Sequence, residues 1–177
     1  MTNERQSVWS GGEAYEPYVG RWSRLVASKF LEWLNVPPGR TWLDLGCGTG
    51  ALTETILSSC APRRVHGIDP SDGYLKVARA QVTDKRAVFE QADAQNLEAE
   101  KNSYDIVVSG LVLNFIAEKA RAMGHMVRVT KPGGQVAAYV WDYAGRMQLM
   151  RYFWDAVVEL TPENRHLDEG VRFPRSE

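Results

Sequence analysis

The run Trp42-Leu43-Asp44-Leu45-Gly46-Cys47-Gly48-Thr49-Gly50 places three glycines at alternate positions directly behind a short apolar segment. The following Ala51-Leu52-Thr53-Glu54-Thr55-Ile56-Leu57 reads as helix, so the local order is strand, tight loop, helix. Glycine suits a backbone that must turn sharply and admit a ligand with no Cβ in the way. The helix N-terminus behind the loop adds unpaired N–H groups and a positive dipole end. Such a loop suits a nucleotide-like or carboxylate-bearing ligand. Gly46-x-Gly48-x-x-Ala51 also fits the dinucleotide fingerprint. Asp44, two positions before the first glycine, and Gly50 are not explained by that fingerprint.

Length and composition bound the possibilities. A chain of 177 residues is enough for one domain with a substantial core. The net charge of −1 gives no basic field for nucleic acid. Cys47 and Cys60 form neither a disulfide framework nor a metal-ligand spacing. No apolar run reaches membrane-spanning length, and Met1 to Ser7 lack the apolar centre of a signal peptide. The expected location is cytoplasmic, with no membrane, nucleic-acid or metal partner.

Upstream of the loop, Tyr15 to Leu34 carries a helical pattern, with Trp22, Leu25, Val26, Phe30, Trp33 and Leu34 as its apolar stripe. Residues 1–38 are expected to form a helical lid, with Tyr18 or Arg21 reaching a ligand carboxylate. Residues 39–177 form the main domain. Arg64–Asp69 reads as the second strand, and Ser71 as the N-cap of a helix from Asp72 to about Val82. Asp69 lies 23 residues after Gly46, the offset that carries an acid to ribose hydroxyls in a βαβ unit. Its other possible role is to cap the following turn.

Ala87–Gln91 reads as a third strand. Asp93 and Ala94 follow it, where an acid can accept an adenine amine, although a plain turn also favours Asp. Tyr104–Gly110 is an apolar fourth strand suited to a buried parallel sheet, with Ser109 and Gly110 at its ligand-binding end. Leu111–Asn114 could line a substrate entrance. A helix is expected over Phe115–Val129, with Ile116, Ala120, Met123 and Val127 on one face. Lys131-Pro132-Gly133-Gly134 signals a turn before a fifth strand over Gln135–Trp141. A last helix, Arg146 to about Leu160, buries Met147, Met150, Trp154 and Val157. Beyond Thr161-Pro162 the chain is polar, with no strand pattern.

Five signals in order, Asp44–Gly50, Asp69-Pro70-Ser71, Asp93-Ala94, Tyr104–Gly110 and Lys131–Gly134, resemble the class I S-adenosylmethionine-dependent methyltransferases. Their small-molecule branch, of ubiquinone/menaquinone-biosynthesis type, is similar, and Tyr18–Trp22 resembles its N-terminal segment. The resemblance implies an α/β, Rossmann-like open and mostly parallel sheet in the order 3-2-1-4-5, with helices on both faces. It implies methyl transfer from S-adenosylmethionine to a small-molecule acceptor. It implies cofactor contacts from Tyr18, Arg21, Asp44, Gly46, Cys47, Gly48, Asp69, Pro70, Asp93, Ala94, Ser109 and Gly110.

No residue stands out as a general base; Asp142, His125 and His166 are weak candidates. The family's sixth and seventh strands have no room here, so the fifth strand is expected at an edge. Either the tail or a second copy of the chain would then cover it, and self-association is the favoured outcome. Two alternatives are an NAD(P)-binding oxidoreductase and a cofactor-binding module without turnover.

Overall fold

A computed structural model describes residues 21–173 of the chain. The described chain falls into two compact units, divided between Tyr139 and Val140.

In the first unit the elements run α1 (Arg21–Leu34), β1 (Thr41–Leu45), α2 (Ala51–Ser59), β2 (Arg64–Asp69), α3 (Asp72–Gln81), β3 (Ala87–Gln91), β4 (Tyr104–Gly110), α4 (Lys119–Val129) and β5 (Thr130–Tyr139). Single 3-10 turns at Ala94–Asn96 and Leu113–Phe115 flank β4. The strands pair in the order β3-β2-β1-β4-β5, all parallel, as expected. This order reverses direction between β1 and β4, and ligands of open α/β sheets bind outside the strand ends at such a point.

Alternation along the strands supplies both cores. Trp42, Val65, Ile106 and Val108 face one side, against Ala27, Phe30 and Leu31 of α1 and Leu52, Ile56 and Leu57 of α2. Leu43, Leu45, Ile68 and Val107 face the other, against Ala122, Met126 and Val129 of α4. Parallel strands covered on both faces read as unbroken apolar runs, which is why β4 was legible.

Two helical faces differ from the pattern in the sequence. On α1 the packed side is Ser23, Ala27, Phe30 and Leu31, while Trp22 is 53 % and Trp33 73 % exposed, with Leu25 and Val26 exposed too. Ser23 and Ala27 are small and let the helix approach the sheet closely, and the bulky side chains turn outward. On α4 the buried residues are Ala122, Met126 and Val129, and Met123 and Val127 are exposed. That helix begins at Lys119, because Leu113–Phe115 is a separate turn.

The fifth strand also differs. It starts at Thr130, and Lys131–Gly134 forms an irregularity inside it, where the register shifts opposite Tyr104–Ile106. Gly133 takes φ +75°, and a Cβ on Gly134 would lie 2.5 Å from the Asp105 carbonyl oxygen. The turn signal is therefore a bulge rather than a strand boundary. The strand stops at Tyr139, short of Trp141.

The second unit holds α5 (Gln148–Leu160), a 3-10 segment at Pro162–Leu167 and the short α6 (Glu169–Arg172). Met147, Met150 and Val157 are half-buried and Trp154 is buried, which follows the expected stripe. Arg151 pairs with Asp168, and the Trp154 indole donates to Glu169. These contacts fold the polar segment onto α5 without a strand.

Candidate functional site

The glycine loop is shaped by its own backbone. Gly46, Gly48 and Gly50 take φ +76°, +55° and +92°, the left-handed region that glycine enters without Cβ strain. Their surroundings differ. A Cβ on Gly46 would meet Val112 at 2.5 Å, and one on Gly50 would meet Val82 at 3.1 Å. A Cβ on Gly48 would meet nothing within 4 Å. Gly46 and Gly50 are thus packed from behind, and Gly48 faces open space at the strand ends.

The loop is tied to β2. The Gly46 and Cys47 amides both donate to the Ile68 carbonyl, at 2.8 and 2.9 Å. The Gly48 amide donates to Asp69 Oδ2 at 3.0 Å, and the Ser71 amide to Asp69 Oδ1 at 2.8 Å. Asp69 therefore does cap the turn after β2, and it also holds the loop. Ser71 separately caps α3 by accepting from the Tyr74 amide. Each Asp69 oxygen keeps a further lone-pair site, since a carboxylate accepts about four hydrogen bonds. Burial raises the Asp69 carboxyl above its ordinary value, opposed by the two amides.

Asp44 ends up beneath the loop. It is 0 % exposed. Its Oδ2 accepts from the Thr53 hydroxyl of α2 at 2.6 Å, and its Oδ1 has no partner among the described residues. Burial, and then the neighbouring Asp69, pushes this carboxyl up to about 7 against the opposing Thr53 hydrogen bond. Thr53 escaped the sequence reading because an inward threonine on a helix looks like ordinary packing. Val112, which fills the space behind Gly46, was legible only as part of a stretch that could line a substrate entrance.

Several of the expected site residues have side chains with partners inside the protein. The Cys47 side chain is buried, with Sγ 3.0 Å from a Cβ built on Gly67, so it faces β2. Burial pushes its thiol well up. Ser109 is 0 % exposed, and its hydroxyl donates to the Leu45 carbonyl at 2.9 Å. Its side chain stitches β4 to β1. Gly110 leaves room for the Tyr139 hydroxyl, 2.6 Å from where a Cβ would sit. Pro70 is exposed, and its carbonyl accepts from Gln91.

Asp93 caps the turn at Ala94–Asn96, accepting from the Gln95 amide at 2.8 Å, which holds its carboxyl below the ordinary range. Ala94 is buried in the core. Tyr18 lies outside the described residues, and Arg21 is described for its backbone alone. Of the weak base candidates, His125 meets the Arg128 guanidinium at 3.4 Å and Asp142 caps its own loop by accepting from the Arg146 amide. His166 Nδ1 lies 2.8 Å from the Glu163 carbonyl.

Known proteins share the sequence family and the fold of this chain. A ubiquinone/menaquinone biosynthesis C-methyltransferase of Ectopseudomonas mendocina (strain ymp) is 33% identical over 137 residues, covering 75% of this chain and 52% of the relative. The chain thus spans about half the length of that relative. An S-adenosylmethionine dependent methyltransferase from Mesorhizobium loti superposes with a TM-score of 0.60 at 27% identity, covering 67% of this chain and 56% of the other. A chain of the complex between the Haloferax volcanii Trm112 methyltransferase activator and a methyltransferase gives a TM-score of 0.71 at 22% identity, over 88% of this chain and 68% of that one. That last likeness is one of fold. Residues 43–138, the span from β1 through β5 that carries the loop and both strand-end acids, match the family model described as a methyltransferase domain. On that match, over more than half of its length, the chain belongs to the methyltransferase-domain family.

Proposed function

We propose that the chain transfers a methyl group from S-adenosylmethionine to a small-molecule acceptor. The observation that carries this reading is the pairing of an open Gly48 with Asp69 at its amide, beside the buried, half-satisfied Asp44. These residues fit the cofactor. Gly48 leaves space for a ligand against the loop backbone, Asp69 has acceptor capacity for ribose hydroxyls, and Asp44 supplies negative charge beneath a cationic ligand. Asp93 and the backbone at Ala94 would meet the adenine, and Tyr18 and Arg21 the carboxylate.

When bound, the cofactor supplies a sulfonium-activated methyl group. The protein's part is to bind and align donor and acceptor, because the donor is already reactive. Gly110 stands at the end of β4, on the side from which an acceptor would approach, with the Tyr139 hydroxyl lying across it. No base is assigned, and none is needed unless the acceptor must lose a proton. Residues 1–38 would act as a lid over this site. A cytoplasmic location fits the described residues, in which no helix is long and apolar enough to cross a membrane.

A second copy of the chain is proposed as cover for β5, whose sole partner among the described strands is β4. Titration calorimetry with S-adenosylmethionine, followed by an acceptor screen that reads S-adenosylhomocysteine release, tests the main proposal. Micromolar or tighter binding with release dependent on an acceptor supports it. Binding without release, restored by a longer form of the protein, would favour a binding module. No binding would remove the proposal.

A further inference from the structure

We propose that below neutral pH Asp44 is a neutral carboxylic acid in the cofactor-free protein and loses its proton when the cationic cofactor settles on the glycine loop. The inference rests on the reading of that loop as an S-adenosylmethionine site. Its basis is geometric. Asp44 has no solvent-accessible surface, one oxygen held by the Thr53 hydroxyl at 2.6 Å, and one oxygen with no partner among the described residues. A buried carboxylate with an unpaired oxygen is far more costly than the neutral acid, so below neutral pH the proton stays unless a positive charge arrives.

Among the described residues, the groups acting on Asp44 supply no such charge. From α2 the group facing Asp44 is the neutral Thr53, and its neighbour Glu54 is paired with Arg24 of α1 at 2.8 Å. From the end of β2 it is the acid Asp69, and from the loop the Cys47 thiol. From β4 the residue paired with Asp44 is the apolar Val108. Arg79 of α3 acts on Cys47 and lies 3.8 Å from Asp72. The elevated carboxyl, about 7, agrees with this census.

S-adenosylmethionine carries a sulfonium and an ammonium. Its arrival would favour the ionised form: the carboxyl O–H bond breaks, the electron pair stays on oxygen, and the proton passes to the solvent buffer. Binding and deprotonation are then linked, so affinity rises with pH up to about neutrality and levels off above it.

The test is titration calorimetry of the full chain with S-adenosylmethionine in buffers of different ionisation enthalpy at pH 6, 7 and 8. Asp44→Asn serves as reference, because it retains the ligand's own titration. The wild type should release close to one proton more than the variant at pH 6 and almost none more at pH 8. Relative to the variant, its affinity should be roughly tenfold weaker at pH 6 than at pH 8. Thr53→Val removes a donor that favours the ionised form and should move proton release to higher pH.

Should Asp44→Asn fail to fold, infrared difference spectra of the wild type at pH 6 provide the readout, with a carboxylic-acid band lost on binding. Tight binding with no excess proton and no lost acid band would overturn the inference and leave the cofactor reading standing. No binding at any pH would overturn the cofactor reading, and the inference with it.

Discussion

The Asp69 carboxylate accepts the Gly48 amide at 3.0 Å, so one acid at the end of β2 holds the glycine loop at the end of β1. That contact makes Asp69 a loop anchor, and the proposed function gives it a second role as ligand acceptor.

Asp69→Ala should therefore act twice. Loss of a charge-assisted contact to the ligand should weaken S-adenosylmethionine binding by about 1.5–3 kcal/mol. Loss of the acceptor for the Gly48 and Ser71 amides should cost on the order of 1–2 kcal/mol of stability. Calorimetry and chemical denaturation of the same variant separate the two. Unchanged affinity with reduced stability would make Asp69 an anchor only.

Gly48 and Gly46 should respond in opposite ways. At Gly48 a side chain enters open space, so Gly48→Val should leave the fold standing at a cost of roughly 1–2 kcal/mol for the left-handed backbone, and abolish cofactor binding. At Gly46 even a methyl group strikes Val112, so Gly46→Ala should lower the melting temperature before any ligand is added. Shortening the obstacle with Val112→Ala should recover part of that loss. A Gly48→Val protein that binds normally would reduce the loop to a structural turn.

Asp44 makes a prediction about stability without ligand. Its folded-state value of about 7 lies above the ordinary 3.8, so between those pH values the native protein holds a proton that the unfolded chain has lost. Stability should fall as pH rises through this window, by an amount on the order of 4 kcal/mol, and stay flat above it as far as this group is concerned. Asp44→Asn should remove that slope. Denaturation curves of both proteins at pH 5 and pH 8 check this, and parallel pH dependences would contradict it.

The outer edge of β5 should drive self-association of this chain. Its backbone groups on that side have no strand partner among the described residues, and Val136 is exposed there. Light scattering over a concentration series should show growth in mass, and Val136→Lys should suppress it, since charge on an edge opposes pairing. A monomer at high concentration, with rapid amide exchange over residues 135–139, would argue against any cover for this edge.

The sequence by itself determined the first four strands, the presence but not the bounds of the fifth, and the loop between β1 and α2. Each of these follows from local chemistry: unbroken apolar runs for a doubly covered sheet, glycines where φ is positive, and an N-cap serine where α3 begins. The acid at Asp69 was legible because strand and helix lengths set its offset from Gly46.

What the tertiary structure alone decided was the phase of each pattern. Periodicity says that α1 and α4 have a buried face, but small residues and neighbouring helices choose which one, and so Ser23 and Ala27 pack inward while Trp22 and Trp33 do not. The same holds at the strand ends. Asp44, Cys47 and Ser109 stand in the motif region, yet register and loop curvature turn their side chains inward, to Thr53, toward Gly67 and to the Leu45 carbonyl. Neighbouring positions on a strand point to opposite faces, so a motif names the residues near a site while only the packed sheet decides which of them reach it.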